Sequence, residues 1–133
     1  MSVQEKIISE LHSYAGDIFK ELTLPASSYA VSLAFRASAA MSGIRITAAA
    51  LTGFRLKDRE KITFELLESD TWKGPFFNRE IISVVSGPVT FFAGDEIMSY
   101  APGTGLKRYL KLKVSDNADL SAVAITAYLV RKG

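Results

Sequence analysis

The sequence contains no cysteine and one histidine, His12. The missing cysteines exclude disulfides, thiolate-bound zinc, iron–sulfur clusters and thiol nucleophiles. A single histidine excludes multi-histidine metal sites and would leave a Ser-His-Asp relay dependent on His12 alone. We therefore expect no enzyme activity, no cofactor and no bound metal, with catalysis by Asp and Glu alone as the remaining enzymatic alternative.

The sequence also lacks long apolar runs and a strong excess of one charge. No run reaches the roughly 18 apolar residues of a membrane span, and acidic residues interrupt the first 22 residues, unlike a secretory signal. Sixteen Lys and Arg against fourteen Asp and Glu give a net charge of +2, which is small for a nucleic-acid-binding domain. We expect a protein made in the cytoplasm, with neither nucleic-acid nor membrane partners.

The N-terminal segment has the periodicity of an amphipathic helix over residues 3–22, before Pro25. Its apolar residues recur at spacings of three and four, and they include Ile7, Leu11, Ile18 and Phe19. A β-sandwich satisfies its own core, so we expect this stripe to contact the sandwich or a neighbouring chain. The predicted organisation is a helical arm over residues 1–24 and a β domain over residues 25–133. Deleting residues 1–22 is expected to leave the β domain folded.

After Pro25 the apolar period changes to two, and turn residues separate short alternating runs. None of the connections has a helical period, so the strands should be antiparallel. The fold prediction is a mainly β protein: an antiparallel, jelly-roll-like sandwich of about eight strands behind an N-terminal helix. The predicted strands are residues 29–36, 44–51, 62–67, 79–85, 89–92, 96–100, 109–114 and 123–129.

Clustered polar residues offer two further chemistries. Paired carboxylates can hydrolyse glycosides, and closely spaced loop oxygens can bind calcium. We favour solvated surface and Asx-stabilised turns, because such residues are common there and the twelve-residue calcium loop is missing. The groups are Glu65 with Glu68, Asp95 with Glu96, and Asp116, Asn117 and Asp119.

Aromatic residues concentrate at two places. Trp72, Phe76 and Phe77 surround a Gly-Pro loop, and Phe92 follows Phe91, so that one ring of this pair faces away from the core of an extended strand. Exposed aromatic rings mark contact surfaces. The alternative is that the loop folds over an open end of the sandwich and buries the rings itself.

Residues 61–130 resemble the small cement or decoration proteins of short-tailed bacteriophage capsids. Three segments carry the resemblance: residues 62–69, a strand that ends in a Ser-Asp turn; residues 102–105, a Pro-Gly turn before the alternating strand 108–112; and residues 121–130, the closing strand. The predicted helix lies outside the resemblance.

The resemblance implies a non-enzymatic structural protein on the outside of a virion capsid. Its implied partner is the major capsid protein, whose neighbouring copies it cements, and it is expected to form a dimer or trimer. Residues of the helix stripe and the exposed rings are the candidate contacts. Two alternatives stay open: a carbohydrate- or receptor-binding sandwich that uses Trp72, Phe76 and Phe77 for stacking, and a head–tail connector or tail subunit.

Overall fold

The computed structural model of the chain describes residues 5–7, 17–36, 41–101, 107–117 and 123–131. Within these ranges the chain forms β-strands and no helix. The strands are β1 (Glu5–Ile7), β2 (Asp17–Leu24), β3 (Tyr29–Val31), β4 (Phe35–Arg36), β5 (Met41–Ala48), β6 (Phe54–Leu56), β7 (Lys61–Ser69), β8 (Phe77–Ser86), β9 (Val89–Phe91), β10 (Glu96–Tyr100), β11 (Tyr109–Asp116) and β12 (Val123–Arg131).

These strands form two main sheets and a small third one. The first sheet has the order β1-β3-β11-β7-β8, with β4 also on β11; the second has the order β10-β5-β12-β2; the third pairs β6 with β9. Every pairing is antiparallel except the short parallel pair β1–β3. The prediction of a mainly β, antiparallel fold is confirmed.

The two main sheets share one hydrophobic core. Alternate residues of the central strands β7 and β11 are buried, as the period of two predicts. They join inward-facing residues of β2, β5 and β12 in a single apolar cluster, which is how a sandwich core is built. The first sheet contributes Ile62, Phe64, Leu66, Leu110, Leu112 and Val114, and the second contributes Ile18, Phe19, Leu22, Leu24, Ile44, Ile46 and Ile125.

The helix prediction is wrong wherever the structure describes that segment. Residues 5–7 form strand β1, and residues 17–22 belong to β2, which pairs with β12 at the edge of the second sheet. The other positions of the predicted helix, Leu11 among them, lie outside the described residues. Residues 17–24 are therefore a strand of the sandwich and not the end of a separate arm.

Irregular pairing explains why β2 has a helix-like spacing. Phe19 lies opposite Ala127, while Leu22 lies opposite Ile125, so three steps along β2 match two steps along β12. Such a bulge adds one residue between two inward-facing side chains. A second irregularity follows at the Asp17 end of β2. Apolar residues of a bulged strand thus recur at the spacing of three that also marks a helix face.

All eight predicted strands fall on strands of the structure, with two differences. The prediction over residues 29–36 becomes two strands, because the buried Ser32 interrupts the ladder: its hydroxyl accepts from the Leu112 N–H (2.9 Å) and donates to the Leu33 carbonyl (2.8 Å). Strand β6 was not predicted, since three residues are too few to display a period.

Candidate functional site

Large apolar side chains are exposed at both ends of the sandwich. Loop 70–76 follows the last residue of β7, whereas loop 49–53 leads through β6 and turn 57–60 to its first residue. Loop 92–95 follows β9, the strand that pairs with β6. We call the first region, with Phe77 and Lys107, the Trp72 end, and the region of loops 49–53 and 92–95 the Phe92 end. The exposed fractions are 63% for Trp72, 64% for Phe77, 88% for Leu51 and 71% for Phe92.

Short-range hydrogen bonds shape the Trp72 loop. The Thr71 hydroxyl donates to the Gly74 carbonyl (2.8 Å), and the Gly74 N–H donates back to the Thr71 carbonyl (3.0 Å). The Thr71 N–H donates to the Ser69 hydroxyl (3.1 Å). Gly74 has a φ of +85°, a left-handed conformation that favours glycine. The loop therefore has a defined shape in which Trp72 is directed to solvent.

A cleft of about 350 Å³ lies beside this loop. Its lining includes Pro75 and Phe77 as well as the ion pair between Lys107 Nζ and Asp70 Oδ2 (3.2 Å). Both charged groups remain accessible to water, with 42% and 77% of their side chains exposed. The cleft thus combines an apolar wall with a charged rim, the arrangement that small binding sites use. Its full lining is Ser69, Asp70, Thr71, Gly74, Pro75, Phe77 and Lys107.

An ionic network lies next to the cleft. Arg79 Nη1 donates to Glu68 Oε1 (3.1 Å), and the same carboxylate oxygen accepts from the Lys107 N–H (3.2 Å). Arg79 Nε also lies 3.6 Å from Glu80 Oε1, and Glu80 accepts a hydrogen bond from the Tyr100 hydroxyl. Tyr100 belongs to β10, so this network joins the two main sheets. Burial raises the pKa of Tyr100, and its hydrogen bond to Glu80 and the charge of that carboxylate raise the pKa further.

Phe76 takes a different role from its neighbours. Its ring is half-buried, and Lys111 Nζ lies 4.6 Å from the ring centroid. Such a cation–π contact holds the ring against strand β11 of the first sheet. Of the three predicted rings in this segment, Trp72 and Phe77 are directed to solvent and Phe76 anchors the loop.

The Phe92 end is a pair of loops held together by backbone hydrogen bonds. The Asp95 carboxylate accepts from the Phe92 N–H (2.8 Å), and the Asp95 N–H donates to the Phe92 carbonyl (3.0 Å). The Gly94 N–H donates to the Ala49 carbonyl (3.0 Å), which connects the two loops. Leu51 and Phe92 therefore project from one anchored region.

Strand β8 exposes two further apolar side chains, Ile81 and Val84, midway between the ends. Ile81 lies opposite Glu65, and Val84 lies opposite Thr63, on the outward face of the first sheet. Neither these two residues nor Leu51 were among the contact residues predicted from the sequence. Two consecutive apolar residues in a strand predict that one of them faces outward, because side chains alternate between the two faces. The pairs Ile81-Ile82 and Val84-Val85 therefore predicted exposed residues in the same way as Phe91-Phe92.

The remaining predicted contact residues are placed differently. Ile18 and Phe19 are 2% and 0% exposed, so they pack inside this chain and offer no surface to another protein. Ile7 lies in β1, and Leu11 lies outside the described residues. The exposed candidates are thus Trp72, Phe77 and Phe92.

The clustered carboxylates and amides have structural partners. Glu68 binds Arg79, Asp95 caps the turn at Phe92, and Glu96 pairs with Arg45 (2.7 Å). These contacts hold the carboxylates in place as parts of ion pairs and turns.

Asp116 and Asn117 join loops of the first sheet at the Phe92 end. Asp116 Oδ1 accepts from the Ser27 N–H (2.7 Å), and Asn117 Oδ1 accepts from the Lys61 N–H (2.6 Å). Both bonds connect residues far apart in the sequence, so these side chains tie separate loops together and do not form the local bond of the predicted Asx-stabilised turn. Asp119 lies outside the described residues.

Among the residues that the structure describes, no three or more His, Cys, Asp or Glu side chains are grouped so that they could hold a metal ion. The described segments also include no helix with the length and apolar character needed to cross a membrane. No protein-family model and no curated protein matches the chain. Function is therefore inferred from the exposed apolar ends and the charges around them.

Proposed function

We propose that this protein is a non-enzymatic structural component of a virion, which binds the outside of a phage capsid and cements neighbouring major capsid proteins. The observation that supports this proposal is the presence of exposed apolar side chains at both ends of one sandwich. A protein that bridges two others must bury separate surfaces against each of them. The resemblance of residues 61–130 supports a capsid as the partner and a jelly-roll-like form of the sandwich.

The separation of the two ends favours bridging over binding to a single site. Strand β7 has nine residues and spans about 26 Å at about 3.3 Å per residue. Exposed apolar clusters at opposite ends of such a strand are more readily buried by two partners than by one, and exposed clusters are a mark of interaction sites. Each contact can be weak, because many copies on a lattice act together.

A shell-binding experiment tests the proposal. Shells assembled from the major capsid protein encoded in the same genome are mixed with the purified protein and imaged by electron cryo-microscopy. We expect added density at regular lattice positions, in contact with two neighbouring capsid subunits. Absence of ordered density, or density that contacts only one subunit, would contradict the proposal.

Matched variants assign the contacts. A Trp72→Ser, Phe77→Ser variant and a Leu51→Ser, Phe92→Ser variant each remove one exposed cluster without disturbing the core. Each should lower occupancy and remove the stabilisation of shells against heat, while the exposed control Lys20→Ser should behave as the wild type. Light scattering of the free protein tests the associated proposal that it forms dimers or trimers.

The cleft beside loop 70–76 favours a second candidate function, carbohydrate binding. Its polar rim and apolar wall resemble sugar sites in composition, and Trp72 offers an exposed ring for stacking. A glycan array with wild type and Trp72→Ala distinguishes the candidates. Binding of a defined glycan that is lost in Trp72→Ala supports the second function, and an array without any binding removes it.

A further inference from the structure

Positive charge is concentrated at the Trp72 end. Among the described residues, the first-sheet segments around loop 70–76 carry six cationic side chains and three carboxylates, an excess larger than the net charge of +2 of the whole chain. The cationic residues are Arg36, Lys73, Arg79, Lys107, Arg108 and Lys111, and the carboxylates are Glu68, Asp70 and Glu80.

Several of these cations remain available to a partner. Glu68 and Glu80 are occupied by Arg79, and Lys107 pairs with Asp70 in an exposed ion pair that contributes little in water. Lys73, Arg108 and Arg36 are exposed, and no carboxylate in the described part of the chain forms an ion pair with them. The cluster can therefore accept negative charge from another molecule.

Some of these cations lie at the cleft or close to it in the sheet and the loop. Lys107 lines the cleft, and Lys73 lies in the same loop as Trp72. Arg36 lies opposite Tyr109, and Tyr109 lies opposite Ser69 at the cleft, so these three residues form one row across the sheet. A volume of about 350 Å³ is near the lower limit of ligand sites, which suits one inserted side chain better than a whole drug-sized molecule.

We propose that the Trp72 end binds an acidic peptide segment of a partner protein, with one aromatic or aliphatic side chain inserted against Pro75 and Phe77. This inference rests on the proposed function, in which the partner is the major capsid protein. Carboxylates on both sides of the inserted residue face the exposed cations. A nucleic acid fits less well than such a peptide. Its evenly spaced phosphates would have to pass the exposed Asp70 carboxylate that lines the cleft, whereas the peptide places its apolar residue there.

A peptide array tests this proposal with the full chain. Fluorescent wild-type protein is applied to an array of random dodecapeptides, and the strongest binders are measured in solution at low and high salt. We expect them to be enriched in Asp and Glu around an aromatic or aliphatic residue, and to weaken as salt rises. A triple variant, Lys73→Gln, Lys107→Gln, Arg108→Gln, should bind about tenfold or more weakly, since several rim charges are lost together.

Two controls keep the outcome specific. Lys20→Gln and Lys57→Gln, exposed cations away from the Trp72 end, should bind these peptides as the wild type does. An array without acidic binders, or acidic peptides that the triple variant still binds fully, would overturn the proposal. Tighter binding of a 20-nucleotide oligothymidine than of the best acidic peptide would overturn it in favour of nucleic acid.

The shell experiment separates this inference from the proposed function. Shells decorated equally by the wild type and the triple variant would overturn the inference and leave the capsid proposal standing. Acidic peptides bound at the Trp72 end, with shells left undecorated, would support the inference and reject the capsid as the partner.

Discussion

Replacing Phe19 with alanine tests whether the N-terminal segment is a strand of the sandwich. Phe19 is fully buried in the core, and its strand β2 pairs with β12. Truncating a buried Phe to Ala costs about 3–5 kcal/mol, because apolar contacts are lost and a cavity remains. Since domains have a total stability of about 5–15 kcal/mol, this change removes a large share of it.

Urea unfolding followed by circular dichroism measures the effect. We expect Phe19→Ala to lower the unfolding midpoint strongly, while Lys20→Ala, an exposed neighbour on the same strand, stays within about 0.5 kcal/mol of the wild type. If residues 17–22 were part of a detached helical arm, both substitutions would be nearly neutral. A loss below about 1 kcal/mol for Phe19→Ala would refute the assignment of β2 to the core.

The same structure reverses the expected result of an N-terminal deletion. Removing residues 1–22 takes away most of β2, including the buried side chains of Ile18, Phe19 and Leu22, and exposes the edge of β12. The truncated chain should therefore lose its cooperative unfolding transition. A truncated protein that unfolds cooperatively at the wild-type urea concentration would show that β2 is dispensable.

Three further predictions concern single side chains. Burial and Glu80 raise the pKa of Tyr100, so the difference in phenolate absorbance between the wild type and Tyr100→Phe should titrate above about pH 10. The stability that Tyr100 contributes should be complete below that pH and lost as the pH rises through the raised pKa. A titration midpoint at or below about pH 10 would contradict this. Trp72 is the only tryptophan and lies near cations. At low ionic strength the ratio of iodide quenching to caesium quenching of its fluorescence should therefore exceed the ratio for free N-acetyltryptophanamide, and equal ratios would contradict the charge assignment. Asn117→Ala removes the acceptor of the Lys61 N–H and should cost about 0.5–1.5 kcal/mol in urea unfolding. The exposed control Asn78→Ala should be nearly neutral, and equal stabilities of the two variants would contradict the role of this bond.

The β domain was predictable because its strands keep a clean period of two. Over residues 62–66 of β7 and 110–114 of β11 every second residue is apolar and buried, so pattern and burial agree there. The turn at residues 57–60 and the Gly-Pro loop at residues 72–75 marked the connections before and after β7. Pairing order could not be read in the same way, because register and sheet partners depend on contacts between distant parts of the chain.

The N-terminal prediction failed where the backbone departs from regular geometry. A bulge in β2 separates the inward-facing Phe19 and Leu22 by three residues, and this spacing is also the signature of a helix face. The period of a pattern identifies a strand only when the ladder is regular. Ser32 shows the complementary case, in which a buried hydroxyl replaces a ladder contact and divides one predicted strand into two.

The kinds of residue in the candidate site could be predicted from the sequence, but their positions in the fold could be predicted only in part. Trp72, Phe77 and Phe92 were selected as aromatic residues near turns, and all three are exposed. Phe76 belongs to the same run, yet its contact with Lys111 depends on how loop 70–76 lies on β11. The excess of positive charge at the Trp72 end could not be predicted from the sequence either. Arg36 is far from Lys107 in the sequence, and strand pairing brings it near.

The two ends of the sandwich are chemically different, and this limits how copies can be arranged. The Trp72 end combines exposed rings with a cluster of cations, whereas Leu51 and Phe92 project from loops beside Asp95. A contact between the Trp72 end of one copy and the Phe92 end of the next would be heterologous, and such contacts produce rings or open filaments. A two-fold contact between Phe92 ends would instead produce a closed dimer that presents two Trp72 ends. In a self-associating form, the closed dimer would bury the Phe92 ends in its own contact and present its two Trp72 ends to equivalent subunits of a shell. A single copy would instead use one end for each subunit, so weaker shell binding by the Leu51→Ser, Phe92→Ser variant is expected in both forms.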